Sequence, residues 1–128
     1  MFLPNTVGAQ LYPQTANLPG ERVIVKHHMN PFRETDLQRI LEAHGIERVV
    51  VVGNMSHMCI DAVTRASVDF GYRTTVIYDA CATHDLEFNG VRVPAPQVHA
   101  AFMAALSFGY AETVSAADFL AANRQRPA

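Results

Sequence analysis

Apolar positions along the chain fall into two alternating patterns, which predict strands and helices in turn. Runs rich in β-branched residues at 21–26 (ERVIVK), 48–53 (RVVVVG) and 73–79 (RTTVIYD) predict three strands, and 112–115 predicts a short fourth. The valines of the second run are continuous, which is typical of a strand covered on both faces. Residues 80–94 carry polar and turn residues and predict a long loop.

Helical spacing of apolar residues lies between and after these runs. The predicted helices span residues 35–45, Cys59 to Phe70, a stretch from Pro96 onward, and Ser115 to about Asn123. Thr35-x-x-Gln38 has the form of a capping box, and Gly45 and Gly71 are suited to end helices. Strands that alternate with helices predict an α/β fold with a parallel, doubly wound sheet.

Length and charge narrow the function classes. The 128 residues predict one domain, residues 1–128, and the net charge of -2 gives no electrostatic reason to expect nucleic acid or anionic membrane partners. No apolar run approaches the roughly 20 residues of a membrane span, and the first residues resemble no secretory signal. We therefore expect a cytoplasmic protein with two free thiols, Cys59 and Cys81.

Cys59 is the strongest candidate for chemistry. It follows the 48–53 run and opens the next predicted helix, so it lies where α/β sheets place ligands and where free N–H groups favour a thiolate. A small buried hydrophobe explains the same position equally well. The polar residues Asn54 and Ser56 favour chemistry, because the backbone N–H groups of such a loop can form an oxyanion hole.

Lys26 ends the first apolar run, at the same predicted edge of the sheet. Taken alone, it is best interpreted as a lysine whose stem packs while its ammonium reaches water. Beside Cys59 it would stabilise the thiolate and hold a substrate carbonyl or carboxylate.

The remaining candidates carry weaker signals. Asp79 could face the same cleft or cap the following turn, Cys81 is expected to be structural, and His99 is expected to be a packed, hydrogen-bonded helix residue. Histidine spacings match no zinc pattern, and no glycine-rich nucleotide motif is present. We therefore expect neither a metal nor a cofactor.

Several segments together resemble one enzyme family. They are Lys26 with the following Asn30-Pro31-Phe32, the loop Gly53–Cys59, the segment Asp79–Thr83, and Val98-His99. The chain is similar in these segments to the isochorismatase-like cysteine hydrolases, which include nicotinamidases and carbamoylsarcosine-type amidohydrolases. The resemblance implies a three-layer α/β/α fold and hydrolysis of a C–N, amide-like bond of a small molecule through a thioester.

The resemblance also implies roles for individual residues. Cys59 would be the nucleophile, Lys26 the catalytic lysine, and the main-chain N–H groups of Met55 and Cys59 the oxyanion hole. The residues implied to bind substrate are Phe32, Asn54 and Ser56. A cis peptide bond is expected between Asn54 and Met55.

One departure from the family pattern affects the predicted activity. The family's third catalytic residue is an aspartate in an N-terminal strand–helix–strand, whereas the first residues here already resemble the stretch that leads into the lysine strand. We therefore expect an N-terminally truncated domain with open sheet edges and a tendency to form homo-oligomers. The alternative to a hydrolase is a truncated or degenerate member that binds or oligomerises with little catalysis. A thiol redox role has weaker support, because the cysteines form no CxxC motif.

Overall fold

The computed structural model describes residue 3 and residues 5–124. Its α-helices and strands are, in order, α1 (Leu37–Ala43), β1 (Arg48–Asn54), α2 (Asp61–Asp69), β2 (Arg73–Ala82), β3 (Leu86–Phe88), β4 (Val91–Val93), α3 (Ala95–Gly109), β5 (Glu112–Val114) and α4 (Ala116–Arg124). A single π-type turn, Ser56–Ile60, precedes α2, and short 3-10 turns lie at Val7–Ala9 and Pro13–Thr15. In the part of the chain described, no helix is long and apolar enough to cross a membrane.

The main sheet is parallel, with strand order β1-β2-β5. Arg48 pairs with Arg73 at the start of the first two strands, and Thr75 pairs with Glu112 further along. Helices α2 and α3 pack on one face and α4 lies against β2 on the other, which makes three layers. The predicted α/β/α architecture is confirmed.

The core lies between the sheet and the α2–α3 layer. Its buried residues are Val51, Ile60, Val76, Met103, Leu106 and Ala111. Val76 and Leu106 have no exposed surface, and burying a side chain of this kind contributes roughly 1.5–3 kcal/mol. Ile60 joins this core from the turn before α2, so the same packing that stabilises the domain holds the loop after β1.

The prediction that β1 is covered on both faces is wrong. Val51 is buried, whereas Val50 and Val52 are 47% and 56% exposed. Alternate side chains of a strand point to opposite faces. The α2–α3 layer packs on the Val51 face of β1, whereas on the other face α4 lies against β2. A cavity of about 730 Å³, lined in part by Val50, Thr75 and Phe119, lies on the other face. Among the described residues no strand pairs with the second edge of β1, so the expected open edge is present.

Two predictions near the start of the chain are also wrong. Residues 21–26 form no strand, because a strand requires a hydrogen-bonded neighbour and none of the described strands lies beside them. The reciprocal capping box at Thr35 is not formed, although the Thr35 hydroxyl accepts the N–H of Leu37 at 3.2 Å. Helix α1 begins at Leu37, and the side chain of Gln38 donates to Glu42 instead of reaching back to the helix start.

The stretch predicted as a loop, 80–94, is largely ordered. Strand β2 continues to Ala82, and β3 and β4 form an antiparallel hairpin. Asn89 and Gly90 connect the two strands with φ of 51° and 75°, the left-handed conformation that two-residue hairpin turns require. The Asn-Gly pair was the sequence signal for this turn.

The predicted helix ends are confirmed at both glycines. Gly45 and Gly71 have φ of 61° and 90°, a region that residues with a Cβ rarely adopt. After α2, for example, the N–H of Tyr72 donates to the carbonyl of Ser67 at 3.0 Å, which closes the helix in a Schellman motif. These ends fix where β1 and β2 begin.

Candidate active site

The loop between β1 and α2 carries the candidate nucleophile. The peptide bond between Asn54 and Met55 is cis, as expected. In the π-type turn that follows, the N–H groups of Met58 and Ile60 both donate to the carbonyl of Met55, at 2.9 and 3.3 Å. Cys59 therefore lies inside a helical turn that starts at Ser56. The prediction that Cys59 opens the helix is wrong, because the helical conformation begins three residues earlier.

Lys26 lies beside Cys59 although 33 residues separate them in the sequence. Its Nζ donates to the Cys59 Sγ at 3.1 Å and to the main-chain carbonyls of His28 and Met29 at 2.8 and 3.4 Å. The two carbonyls hold the ammonium in place, and both side chains are partly buried. In the described part of the chain the sulfur has no other hydrogen-bond partner. The arrangement places a positive charge in direct contact with the sulfur of the candidate nucleophile.

A groove of about 330 Å³ opens beside this pair. Its lining residues are Lys26, Met29, Pro31, Val49, Val50, Val51, Val52, Asn54, Cys59, Ile60 and Val63. Apart from Lys26, Asn54 and Cys59, these side chains are apolar. The groove is at the small end of the size range of ligand pockets, so it suits a small molecule with few polar groups.

The residues expected to bind substrate lie in different places. Asn54 lines the groove. Phe32 packs against the rings of Phe70 and Tyr72, with centroid distances of 5.0 and 6.2 Å. Ser56 has no exposed surface, and its hydroxyl lies 2.8 Å from Nδ1 of His99. A role in substrate binding stays a prediction for all three.

Two histidines connect the loop to neighbouring elements. His99, in α3, is packed and hydrogen-bonded as expected. His57 has its Nδ1 2.6 Å from the hydroxyl of Thr83 and its ring edge-on to His84. Burial, together with the charge of His84, lowers the pKa of His57. The sequence analysis predicted neither the contact of Ser56 with His99 nor that of His57 with Thr83. The available signal was the hydroxyl of Ser56, which needs a partner if the loop is buried.

Two other candidates have structural contacts. Asp79 does not face the groove; its carboxylate accepts the N–H of Ala116 at 2.8 Å, at the start of α4. Cys81 packs against the core and donates to the carbonyl of Ile77 at 3.4 Å, and burial raises the pKa of its thiol. Among residues 3 and 5–124, no three His, Cys, Asp or Glu side chains are placed to hold a metal ion.

Comparison with known proteins gives a consistent set of relatives. The model of the isochorismatase domain matches residues 1–118. The isochorismatase family protein YddQ of Bacillus subtilis (strain 168) is 47% identical over 119 residues, which are 93% of this chain and 66% of YddQ. Streptothricin hydrolase of Streptomyces noursei is 34% identical over 83 residues, 65% of this chain and 30% of the hydrolase.

A solved structure shows the same fold. The crystal structure of an isochorismatase hydrolase from Oleispira antarctica has a TM-score of 0.90 and 57% identity, over 94% of this chain and 64% of that protein. The chain thus spans 66% of the length of YddQ and 64% of the length of the Oleispira antarctica protein.

Proposed function

Because the chain belongs to the isochorismatase family, we propose that it is a cysteine hydrolase that cleaves an amide-like C–N bond of a small molecule. The observation that carries this proposal is the contact of the Lys26 ammonium with the Cys59 sulfur at 3.1 Å, at the end of a groove. A lysine that is fixed by two carbonyls and directed at a thiol is an arrangement that activates a nucleophile. The name of the streptothricin hydrolase relative is consistent with hydrolysis as the reaction class.

In the proposed first step, the Cys59 thiolate attacks the substrate carbonyl carbon and forms a C–S bond. The oxygen becomes an oxyanion, which the main-chain N–H groups of Met55 and Cys59 stabilise. The C–N bond then breaks, and the Lys26 ammonium donates a proton to the leaving nitrogen. Water attacks the resulting thioester, releases a carboxylic acid and restores the thiolate and ammonium.

The groove supports a small substrate. Its walls are mostly apolar, with the amide of Asn54 as a polar group near the reacting atoms. We propose that Asn54, Ser56 and Phe32 contribute to substrate binding, the last two by supporting the groove walls from behind. We further propose a cytoplasmic protein, since both cysteines are free thiols.

Trapping the thioester tests the proposal. After incubation with p-nitrophenyl acetate, mass spectrometry of the intact and digested chain is expected to show one acetyl group on Cys59. Cys81→Ala is the matched control and should acetylate normally, while Cys59→Ala should not acetylate and should hydrolyse none of the small amides in an ammonia-release screen. Acetylation of Cys81 alone, or hydrolysis that survives Cys59→Ala, would refute the mechanism.

A second candidate function is binding or self-association without catalysis. The open edge of β1 and the exposed Val50 and Val52 favour it, because unpaired strand edges pair readily with another chain. Light scattering distinguishes the two candidates when combined with the acetylation assay. A stable homo-oligomer that forms no acyl-enzyme supports the second function, and a monomer contradicts self-association.

A further inference from the structure

The loop that carries the candidate nucleophile is attached to α3 by one buried hydrogen bond. Ser56, between Met55 and Cys59 in the sequence, has no exposed surface. Its hydroxyl meets Nδ1 of His99 at 2.8 Å, although 43 residues separate the two. The carbonyl of Ala82, at 3.4 Å, is the other partner of this hydroxyl. The loop is therefore held from the interior, on the side away from the groove.

We propose that His99 is a positioning residue that holds the oxyanion-binding main chain through Ser56. The inference rests on the proposed function, since it concerns the N–H groups of Met55 and Cys59 assigned there to the oxyanion. His99 contacts neither the groove nor the Cys59 sulfur in the structure. It acts on the reaction only through the backbone that flanks Ser56.

The Ser56 hydroxyl needs the imidazole of His99 as a hydrogen-bond partner. A serine hydroxyl has one hydrogen to donate and two lone pairs, whereas the Ala82 carbonyl can only accept. If Ser56 donates to His99, the short contact is satisfied directly; if it donates to Ala82, it accepts from the Nδ1–H of the other tautomer. Without the imidazole, residues 3 and 5–124 leave the buried hydroxyl with the 3.4 Å contact alone, at the long limit of hydrogen bonding.

The anchor is rigid enough to position a backbone. His99 lies in α3 next to Val98, which is buried, and the same helix contributes Met103 and Leu106 to the core. The π-type turn packs against this helix, and its Ile60 belongs to the same core. A loop held between a packed helix and the core has little freedom to shift while Ser56 and His99 remain bonded.

The geometry of an oxyanion hole makes small shifts costly. Its donors must lie about 2.7–3.1 Å from the developing oxyanion. A displacement of about 1 Å can lower a rate about a hundredfold. Freeing Ser56 would allow such a displacement of the neighbouring N–H groups. The Lys26 ammonium is held in a different segment by the carbonyls of His28 and Met29, and its long side chain can follow a small shift of the Cys59 sulfur.

Two reagents separate a displacement of the N–H donors from a change in the reactivity of the Cys59 sulfur. Butyraldehyde forms a C–S bond with Sγ while its carbonyl π-bond opens and the thiol proton moves to the oxygen, so the adduct places an oxygen where the oxyanion would lie. Iodoacetamide also forms a C–S bond, but iodide leaves from a saturated carbon and no oxyanion develops. Only the aldehyde reports on the N–H donors, and both report on the thiolate.

The variants are His99→Ala, His99→Asn and Ser56→Ala. We expect His99→Ala to weaken butyraldehyde binding at Cys59 about 10- to 100-fold while the alkylation rate stays within about threefold. The Asn side chain places an amide near the position of Nδ1, so His99→Asn should recover most of the affinity. Ser56→Ala should reproduce the selective loss, and the double variant Ser56→Ala/His99→Ala should be no weaker than His99→Ala alone, because the two residues act as one unit.

Some outcomes overturn the proposal. An equal fall in aldehyde binding and alkylation, no change in either, or a folded His99→Asn that behaves like His99→Ala would each do so. If His99→Ala fails to fold, Ser56→Ala and His99→Asn decide the question in the same way.

Hydrogen exchange of the wild type and of His99→Ala tests the positioning role of His99 without requiring any catalysis. The amides of Met58 and Ile60 are bonded to Met55, so they report on the loop without any substrate. In His99→Ala their protection should fall at least about tenfold, while that of Phe70, at the end of α2, is retained. Unchanged protection contradicts the positioning role. A wild-type chain that forms no acyl-enzyme, yet loses loop protection on His99→Ala, contradicts only the hydrolase proposal.

Discussion

Replacing Lys26 by Met tests whether the ammonium activates Cys59. Methionine keeps an unbranched side chain of similar length but removes the charge that lies 3.1 Å from the sulfur. We expect Cys59 to react more slowly with iodoacetamide at neutral pH, because the thiolate is the reacting form and loses its nearest cation.

The structure sets the size of this effect. Two unit charges 3.1 Å apart attract by about 1.3 kcal/mol at the dielectric constant of water and about 5 kcal/mol at an effective value of 20. Both side chains are only partly buried, so the lower figure is the appropriate minimum. It corresponds to a factor of about ten in rate.

A second effect opposes the first. A thiolate that is less stabilised is also intrinsically more nucleophilic, and this recovers somewhat less than half of the change on a logarithmic scale. The net expectation for Lys26→Met is therefore an alkylation rate lowered about threefold at the least, and up to about a hundredfold if the local dielectric constant is near 20.

Mass spectrometry of timed iodoacetamide reactions measures the rate. Cys81 serves as an internal control, because its thiol donates to Ile77 and does not contact Lys26. Lys26→Arg, which keeps the charge, should lie closer to the wild type than Lys26→Met does. An unchanged ratio of Cys59 to Cys81 labelling in Lys26→Met would refute the reasoning, as would equal losses in the Arg and Met variants.

Two further predictions concern stability. Leu106→Ala removes a side chain with no exposed surface, so it should lower the free energy of unfolding by about 2–5 kcal/mol in urea titrations. Phe108 is 95% exposed on the same helix, so Phe108→Ala should change that free energy by no more than about 0.5 kcal/mol. Similar losses for both variants would contradict the assigned core. Burial and the charge of His84 lower the pKa of His57 below its usual value of 6.5. The unfolded chain therefore binds more protons, and stability should fall as the pH drops below 6.5. His57→Asn should make that fall shallower between about pH 6.5 and 5, and an unchanged slope would contradict the assignment.

The sequence predicted correctly those features that depend on residues close together in the chain. The strand at 48–53 and the glycines that end α1 and α2 are present, and Ser115, where the last helix is predicted to begin, accepts the N–H of Asp118 at its start. Each depends on residues within one or two turns of the chain. The Asn89-Gly90 turn was equally local, and it was missed only because the residues around it were interpreted as a loop.

The errors involve partners distant in the sequence. Residues 21–26 have the composition of a strand, but composition cannot supply a neighbouring strand, and none of the described strands pairs with them. The valines at 48–53 are apolar on both sides of β1, but a helix layer covers only the side of Val51. Asp79 lies within β2, which continues to Ala82, and its carboxylate binds the start of α4 instead of the cleft or the following turn, because α4 packs beside it.

The sequence by itself determined the order of strands and helices, and it identified Cys59 at the end of a strand as the candidate nucleophile. Only the tertiary structure brought Lys26 to 3.1 Å from that sulfur and His99 to 2.8 Å from Ser56, across separations of 33 and 43 residues. The physical reason is that hydrogen bonds and steric preferences along the chain act over a few residues. Contacts between distant segments depend on which sheet edges and helix faces remain available once the core has packed.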